Sequence, residues 1–485
     1  MSTVAEARMP RRRGSLGWLR DRGMGASILV AAVSSAFGAI LLSAVGYISA
    51  LLRADPLIGD SHTLALVLSV LAVLFVGVAV YVGAIVTANT FATVVAGRTR
   101  QIALLRLIGA SARSQRAEVT RQGLVVGCFG AAAGLVFGIL VAFASIPIVE
   151  ASFTVAHVSY GVLQPVLLVP AVVVALTTWA AAGIGSRRVL TVTPLQALGG
   201  STEAAHAALA HRGGRNRVAV ALILAGAVLL GGGVLLGLLT PLGIGVAFFG
   251  GVLSFTGLSL GATVVMPPVL RLVGRCFGRS AVARLAAENA MRYPERSSRM
   301  AIGVVMGVTL VTMFAVAIAS VRTVLTAAAG GQLPPEIGTV LDTFTTIMSS
   351  LVGVSAVIAA IGLVNLLTLG VVQRRRELGL LRALGLSKGQ VRRVVLLEAA
   401  HITIASVVVG LLLGVLYGWV AAQSLLGSVR PTVGGAASAP ELVAPGIPWI
   451  PLAVVVAGAV VLTLIASATP TRLATRVPPV AALAE

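Results

Sequence analysis

Few side chains in this chain could carry out chemistry, and their spacing does not match the common catalytic motifs. A phosphate-binding loop needs Gly-Lys followed by Ser or Thr, but the single lysine, Lys388, lies between Ser387 and Gly389. The five histidines are scattered, and none belongs to an H-E-x-x-H zinc motif. His401, at the start of an apolar segment, is expected at the membrane interface rather than as a ligand. We therefore predict no catalytic residue, no cofactor and no metal site.

The basic residues instead form a block that occurs twice. Residues 89–138 and 365–414 align from end to end at a constant offset, without a gap. Each block lies between two apolar segments, and this position suggests two equivalent docking surfaces on one side of a membrane. The identical positions at the start of the blocks are Arg98/Arg374, Arg100/Arg376, Leu104/Leu380, Leu105/Leu381, Arg106/Arg382 and Gly109/Gly385.

The second block is predicted to form a short amphipathic helix. Leucines recur at a spacing of three on one face, and Gly385 is expected to end the helix. Ser387 and Gln390 have the capping-box spacing, so a second helix should begin there and continue into the next apolar segment. The leucine stripe could enter a groove on a partner protein, with arginines fixing the register. The alternative is that the helix only lies on lipid headgroups.

Composition places the chain in a membrane. Hydrophobic residues make up 58% of it and charged residues 11%, with a mean hydropathy of +1.02, whereas soluble domains are about 45–50% apolar and about 25% charged. The apolar runs are long enough to cross a bilayer as helices. We predict ten spans, at about 27–50, 62–86, 123–147, 164–186, 218–239, 244–270, 300–322, 344–370, 401–423 and 449–467.

The net charge of +21 is distributed according to this topology. With the N-terminus inside, every Lys and Arg falls on the inner side except Arg53, Arg322 and Arg430. The positive-inside rule then predicts that both termini are cytoplasmic. Nucleic acid is not expected as a partner, because no basic stripe is interleaved with aromatic residues; membrane lipids are.

The expected fold class is all-α, a polytopic membrane protein with two parallel four-helix repeats and an inserted two-helix hairpin. An even number of inserted spans keeps the repeats parallel. Short amphipathic stretches before each repeat, 15–22 and 283–292, could be interfacial elbow helices. The predicted units are 1–26 (tail with elbow helix), 27–198 (first repeat), 199–217 (cytoplasmic linker), 218–270 (hairpin), 271–299 (cytoplasmic elbow segment) and 300–485 (second repeat).

Glycines recur at every fourth residue in the third span of each repeat. Such a face lets two helices approach closely, and we favour generic packing over a sliding interface between the halves. The glycines are Gly130, Gly134 and Gly138 in the first repeat and Gly410, Gly414 and Gly418 in the second.

Both blocks read R-x-R-[EQ]-[IL]-x-L-L-R-x-[IL]-G-x-S, and both halves close on P-[LV]-x-A-L. In these motifs the chain resembles the FtsX-like permeases, the membrane subunits of MacB-type (type VII) ABC systems. The resemblance implies no ATPase activity in this chain, two copies of a cytoplasmic ABC ATPase as partners, and a coupling helix in each block. The coupling residues it implies are Arg98, Arg100, Ile102, Leu104, Leu105, Arg106, Gly109, Arg374, Arg376, Glu377, Leu378, Leu381, Arg382 and Gly385.

One departure from that family concerns the outside loops. Residues 51–61 and 323–343 are too short to build the large outside domain that many relatives carry. We expect an exporter of an amphipathic, lipid-like, peptide or drug substrate in a bacterial plasma membrane. An ATP-driven module that regulates a cell-envelope enzyme or sensor is the alternative. A secondary transporter is disfavoured because few acidic residues lie within the spans.

Overall fold

The computed structural model describes ten α-helices over eight long stretches of the chain. These stretches are 24–54, 111–152, 160–187, 203–276, 280–292, 294–328, 385–428 and 442–476, with isolated positions between 70 and 109, Gly338 and four strand residues. The described helices are α1 (Met24–Ala54), α2 (Ala112–Ser152), α3 (Leu168–Gly185), α4 (Glu203–Gly237), α5 (Gly243–Leu260), α6 (Ala262–Cys276), α7 (Ala281–Arg292), α8 (Pro294–Ala328), α9 (Lys388–Leu426) and α10 (Trp449–Arg476).

The all-α membrane fold is confirmed. Seven helical segments in the described part of the chain are long and apolar enough to span a membrane, and each coincides with a predicted span. A shorter apolar segment, Trp449–Val461, lies in α10 where the tenth span is predicted. The predicted spans at 62–86 and 344–370 lie largely outside the described residues. Two-residue strands at Thr432–Val433 and Ala436–Ala437 form a small antiparallel pair in the loop before α10.

Large apolar side chains on the outer faces of the helices are consistent with contact to lipid. On α2, Phe129, Phe137, Leu140 and Phe143 are each more than half exposed. In water such a patch would be unstable or would mark an interface, whereas in a bilayer these side chains meet acyl chains. The chain is thus a multi-pass membrane protein.

The first and third spans of each repeat pack through the predicted glycine faces. Gly134 lies so close to α1 that a Cβ there would collide with the backbone carbonyl oxygen of Ala32. Gly410, which aligns with Gly134 in the second repeat, lies against the side chain of Val308 of α8, and Val308 aligns with Ala32 in the same register. The internal repeat therefore extends to the first span of each half, where no sequence motif reveals it.

The remaining glycines of the two faces lie against the same partner helices. Gly130 and Gly138 meet Ala31, Ala36 and Ala39 of α1. Gly414 and Gly418 meet Thr312, Met313 and Val316 of α8.

The hairpin α4–α5 packs onto the second half of the chain. Its Leu230, Ala247, Phe255 and Leu258 join the buried core that α8 and α9 build. Close approach within the hairpin depends on glycine: a Cβ at Gly233 would lie 2.7 Å from the Ala247 Cβ. The hairpin is thus an integral wall of the second half rather than an appendage.

The structure differs from the predicted boundaries in two places. Helix α4 begins at Glu203, inside the stretch predicted as a linker, because the Ala-rich run that opens it is a good helix former. The sixth span is interrupted at Gly261, where α5 ends and α6 begins. Gly261 lies against Ala219 of α4, and α6 carries Pro267 and Pro268, which lack backbone donors.

Helix α7 lies where the sequence predicts an elbow helix before the second repeat. Ala283, Ala286 and Ala290 are buried while Arg284 and Glu288 are exposed, as the helical spacing predicts. The buried face of α7 packs against α9 and α6, so this face contacts other helices of the protein. The predicted elbow at 15–22 lies outside the described residues.

The predicted topology is tested by cysteine labelling in intact cells. Leu239, 78% exposed at the tip of the hairpin, is expected outside; Gln390 and the native Cys276, both exposed, are expected inside. In a Cys128→Ser background, a membrane-impermeant maleimide should label Leu239→Cys and leave Gln390→Cys and Cys276 unmodified until the cells are broken. Labelling of Gln390→Cys in intact cells would contradict the orientation.

Candidate docking surface

The two basic blocks share a positive-φ glycine that is followed by a helix. Gly109 and Gly385 have φ of +102° and +101°, and they are the positive-φ glycines among the described residues. This region of backbone space is costly for residues with a Cβ, and glycine adopts it at helix ends. A Cβ at either glycine would meet nothing within 4 Å. Glycine is therefore required by the positive φ angle and not by a lack of room for a side chain.

Each turn leads into a capped helix. In the second block, the Ser387 Oγ accepts a hydrogen bond from the Gln390 backbone N–H at 3.2 Å, and the Gln390 side chain accepts from the Ser387 N–H at 2.9 Å. The predicted capping box is therefore confirmed. In the first block, the Ser111 Oγ accepts from the Ser114 N–H at 3.1 Å. Both helices continue into the third span of their repeat, so each block is joined rigidly to a membrane helix.

Little of the coupling helices themselves falls within the described residues. Leu104 and Leu105 are helical; Leu104 is 48% exposed and Leu105 is partly buried. The unequal exposure of these two adjacent leucines is what a helix shows when one of its faces packs against the protein and the other is exposed. The other coupling positions lie outside the described residues: Arg98, Arg100, Ile102, Arg106, Arg374, Arg376, Glu377, Leu378, Leu381 and Arg382.

Charged groups of the first block, together with Arg187, form a basic groove that the sequence motifs did not reveal. It has a volume of about 620 Å³ and lies between the N-terminal end of α2 and the C-terminal end of α3. Its arginines are Arg113, Arg116, Arg121 and Arg187, with Trp179 beside them. In the second block, Gly389 and Leu397 stand at the positions equivalent to Arg113 and Arg121. The two basic blocks are therefore not identical in charge.

One acid lies at the edge of this groove. The Glu118 Oε2 lies 3.6 Å from the Arg121 Nε, and the Glu118 Oε1 accepts a hydrogen bond from the Gln122 side chain at 3.1 Å. Glu118 thus pairs with Arg121 of its own helix. Among the described residues, every Asp, Glu, Lys and Arg whose exposure is defined is at least partly exposed.

The His401 side chain is fully buried in the protein, and its Nε2 lies 2.6 Å from the Leu270 carbonyl oxygen. Its position at the membrane interface stays a prediction, because burial by protein does not give depth in the membrane. Helices α6 and α7 cover the side chain: Gly274 of α6 lies next to the ring, and Ala287 of α7 lies beside Gly274. The sequence places His401 at the edge of an apolar run but does not show that two further helices pack over it.

Comparison with known proteins assigns the chain to a family. The FtsX-like permease C-terminal domain matches residues 73–194 and 349–479, together just over half of the chain. The two matches begin at equivalent positions of the two repeats, in the register that relates the basic blocks, so the domain is present twice. The chain belongs to the FtsX-like permease family.

Curated relatives of the chain are named as ABC transporter permeases. It is 33% identical over 95 residues to the uncharacterized ABC transporter permease YknZ of Bacillus subtilis, covering 20% of this chain and 23% of that protein. It is 37% identical over 60 residues to the ABC transporter permease YtrF of Bacillus subtilis, covering 12% and 14%. The uncharacterized ABC transporter permease MJ1507 of Methanocaldococcus jannaschii is 27% identical over 85 residues, covering 18% and 21%. The matched segments thus span less than a quarter of each relative.

Proposed function

We propose that the chain is the membrane-spanning, non-catalytic subunit of an ATP-binding cassette exporter. Two copies of a cytoplasmic ATPase dock on the two basic blocks, and the energy for transport comes from these partners. The protein lies in a bacterial plasma membrane with both termini in the cytoplasm. Its cargo is an amphipathic, lipid-like, peptide or drug molecule.

The observation that carries this proposal is the duplicated turn geometry. Gly109–Ser111 and Gly385–Ser387 occupy equivalent positions of the two blocks and repeat the same positive-φ glycine and the same serine cap. A symmetric pair of ATPases needs two such surfaces. Because α2 and α9 continue directly from the turns, closure of the ATPases would move the two glycine-faced helix pairs.

The purified chain alone is expected to hydrolyse no ATP, because it has no phosphate-binding loop. Co-expression with a candidate ABC ATPase partner should give a stable complex whose ATPase activity responds to a transported amphiphile. The measurement is phosphate release by the chain, the ATPase and the complex, each in lipid nanodiscs. ATP hydrolysis by a homogeneous sample of this chain would contradict the proposal.

The regulatory alternative gives a different result in the same preparation. A module that controls an envelope enzyme would hydrolyse ATP without net movement of amphiphile across a proteoliposome. Retention of the amphiphile during steady hydrolysis, together with stimulation by a purified envelope partner, would favour that alternative.

A further inference from the structure

A partly enclosed cavity of about 250 Å³ lies between the inserted hairpin and the second repeat. Helices α4 and α5 form one wall, and α8 and α9 form the opposite wall. Leu74, Val78 and Tyr81, from the predicted second span, close a third side. The cavity thus lies where the hairpin meets elements of both repeats.

The apolar side chains that line the cavity favour a hydrocarbon as its occupant. Side chains that face the space include Leu230, Ile244, Phe248, Met306, Met313 and Phe314. A dry apolar cavity of about 150 Å³ is already large enough to take up benzene or xenon, and this one is larger. Water would find few partners there, because it needs two to four polar groups.

The tyrosine hydroxyls at the cavity are already engaged by the protein. The Tyr81 Oη lies 2.8 Å from the Thr256 Oγ1 and 3.1 Å from the Val252 carbonyl oxygen. The Tyr417 Oη lies 2.8 Å from the Ser254 Oγ. Thr309 contributes a buried hydroxyl with no partner in the described part of the chain. The walls therefore offer an occupant extensive apolar contact and few polar contacts.

The cavity lies in the half of the bundle away from the basic blocks. Its lining from α8 runs from Met306, near the middle of that helix, to Val321. Its lining from α9 runs from Tyr417 to Leu425, in the half of that helix distant from Ser387. At the same end, Gly237 of α4 lies directly against Ser424 of α9. With the predicted topology, this half lies in the outer leaflet.

We propose that this cavity binds the hydrocarbon chain of an amphiphile drawn from the outer leaflet, while its polar head stays at the membrane surface. The inference rests on the proposed function only where it identifies this amphiphile as the cargo or as part of the cargo. The binding itself needs neither ATP nor the ATPase.

The test is photolabelling of the full purified chain with palmitate that carries a diazirine in its chain and a terminal alkyne. A leucine at position 251 would fill the space, because Gly251 lines the cavity and a Cβ there meets nothing within 4 Å. Gly245, on the same helix, is also free of neighbours within 4 Å but does not line the cavity. Gly245→Leu is therefore a matched control.

We expect labelled peptides from α8 and α9 in the wild type and in Gly245→Leu. Gly251→Leu should reduce that labelling by about tenfold, because the leucine side chain occupies volume that the hydrocarbon needs. Gly251→Ala, which adds one methyl group, should give a smaller loss and serves as the variant least prone to misfold. Dodecane should compete with the probe, and glycerol phosphate should not.

Equal labelling of α8 and α9 in the wild type and in Gly251→Leu would overturn the proposal, as would competition by glycerol phosphate. So would labelling confined to outward-facing residues such as Phe249. Failure of the transport function would leave the labelling intact, so the two outcomes are distinguishable. If the cavity serves transport, labelling in the complex with the ATPase should fall during ATP turnover; if it holds a resident lipid, labelling should not change.

Discussion

The double variant Leu105→Asp/Leu381→Asp is expected to lose the ATPase on co-purification. These leucines occupy equivalent places near the middle of the two predicted coupling helices. Docking would bury each new carboxylate in an apolar groove, which costs several kcal/mol when the charge finds no partner. A cost of about 2 kcal/mol at each site weakens each contact by about thirtyfold. The measurement is the ratio of ATPase to tagged permease after affinity purification in detergent.

Ala281→Asp is the matched control, because it places a carboxylate on an exposed residue in the first turn of α7, outside both basic blocks. An acid in the first turn of a helix is favourable, so this variant should insert, fold and bind the ATPase like the wild type. Membrane insertion of the double variant should also be normal. If it bound the ATPase at the wild-type ratio, the blocks would be lipid-facing linkers and not docking surfaces.

Gly134→Ala is expected to destabilise the protein, although alanine is the better helix former. A Cβ at this position collides with the backbone of Ala32, which cannot move unless α1 as a whole moves away. Overpacking of this kind typically costs about 1–3 kcal/mol, which exceeds the gain in helix propensity of about 1 kcal/mol. The loss should appear as a lower midpoint for unfolding in mixed micelles of dodecyl maltoside and SDS.

The same substitution at Gly231 should have the opposite sign or no effect. Gly231 lies in α4, is exposed, and has nothing within 4 Å of an added Cβ. Gly231→Ala therefore gains helix propensity without a clash. If both alanine variants shifted the midpoint equally, the glycine face of α2 would not be what brings α1 and α2 together.

The membrane helices and the turns of this fold can be predicted from sequence because their determinants are local. Length and apolar composition are sufficient to place a span, and seven described helices lie where spans are predicted. Gly385 predicts the turn, and the Ser387–Gln390 pair predicts the helix cap. In α7, the helical spacing of the alanines relative to Arg284 and Glu288 predicts which face is buried.

The remaining features depend on tertiary contacts that no local pattern encodes. The burial of His401 depends on α6 and α7, and the interruption at Gly261 depends on close approach to Ala219 of α4. The cavity is formed by segments as distant in sequence as Leu74 and Leu425. The glycine faces stand between these cases: the sequence predicts that something packs there, but only the structure identifies Ala32 and Val308 as the equivalent partners.

Tyr81 connects the hairpin to the predicted second span, so the hairpin touches elements of both repeats. The Tyr81 hydroxyl holds Thr256 of α5, and the chain that follows Tyr81 leads directly into the first basic block. On the other side, Ser254 of α5 holds Tyr417 of α9, the helix that begins just after the second block. A molecule in the cavity would lie beside both hydrogen bonds and would act on both connections at once. If the chain acts in the proposed exporter, an occupant of the cavity would act on both predicted ATPase contacts through this one inserted element.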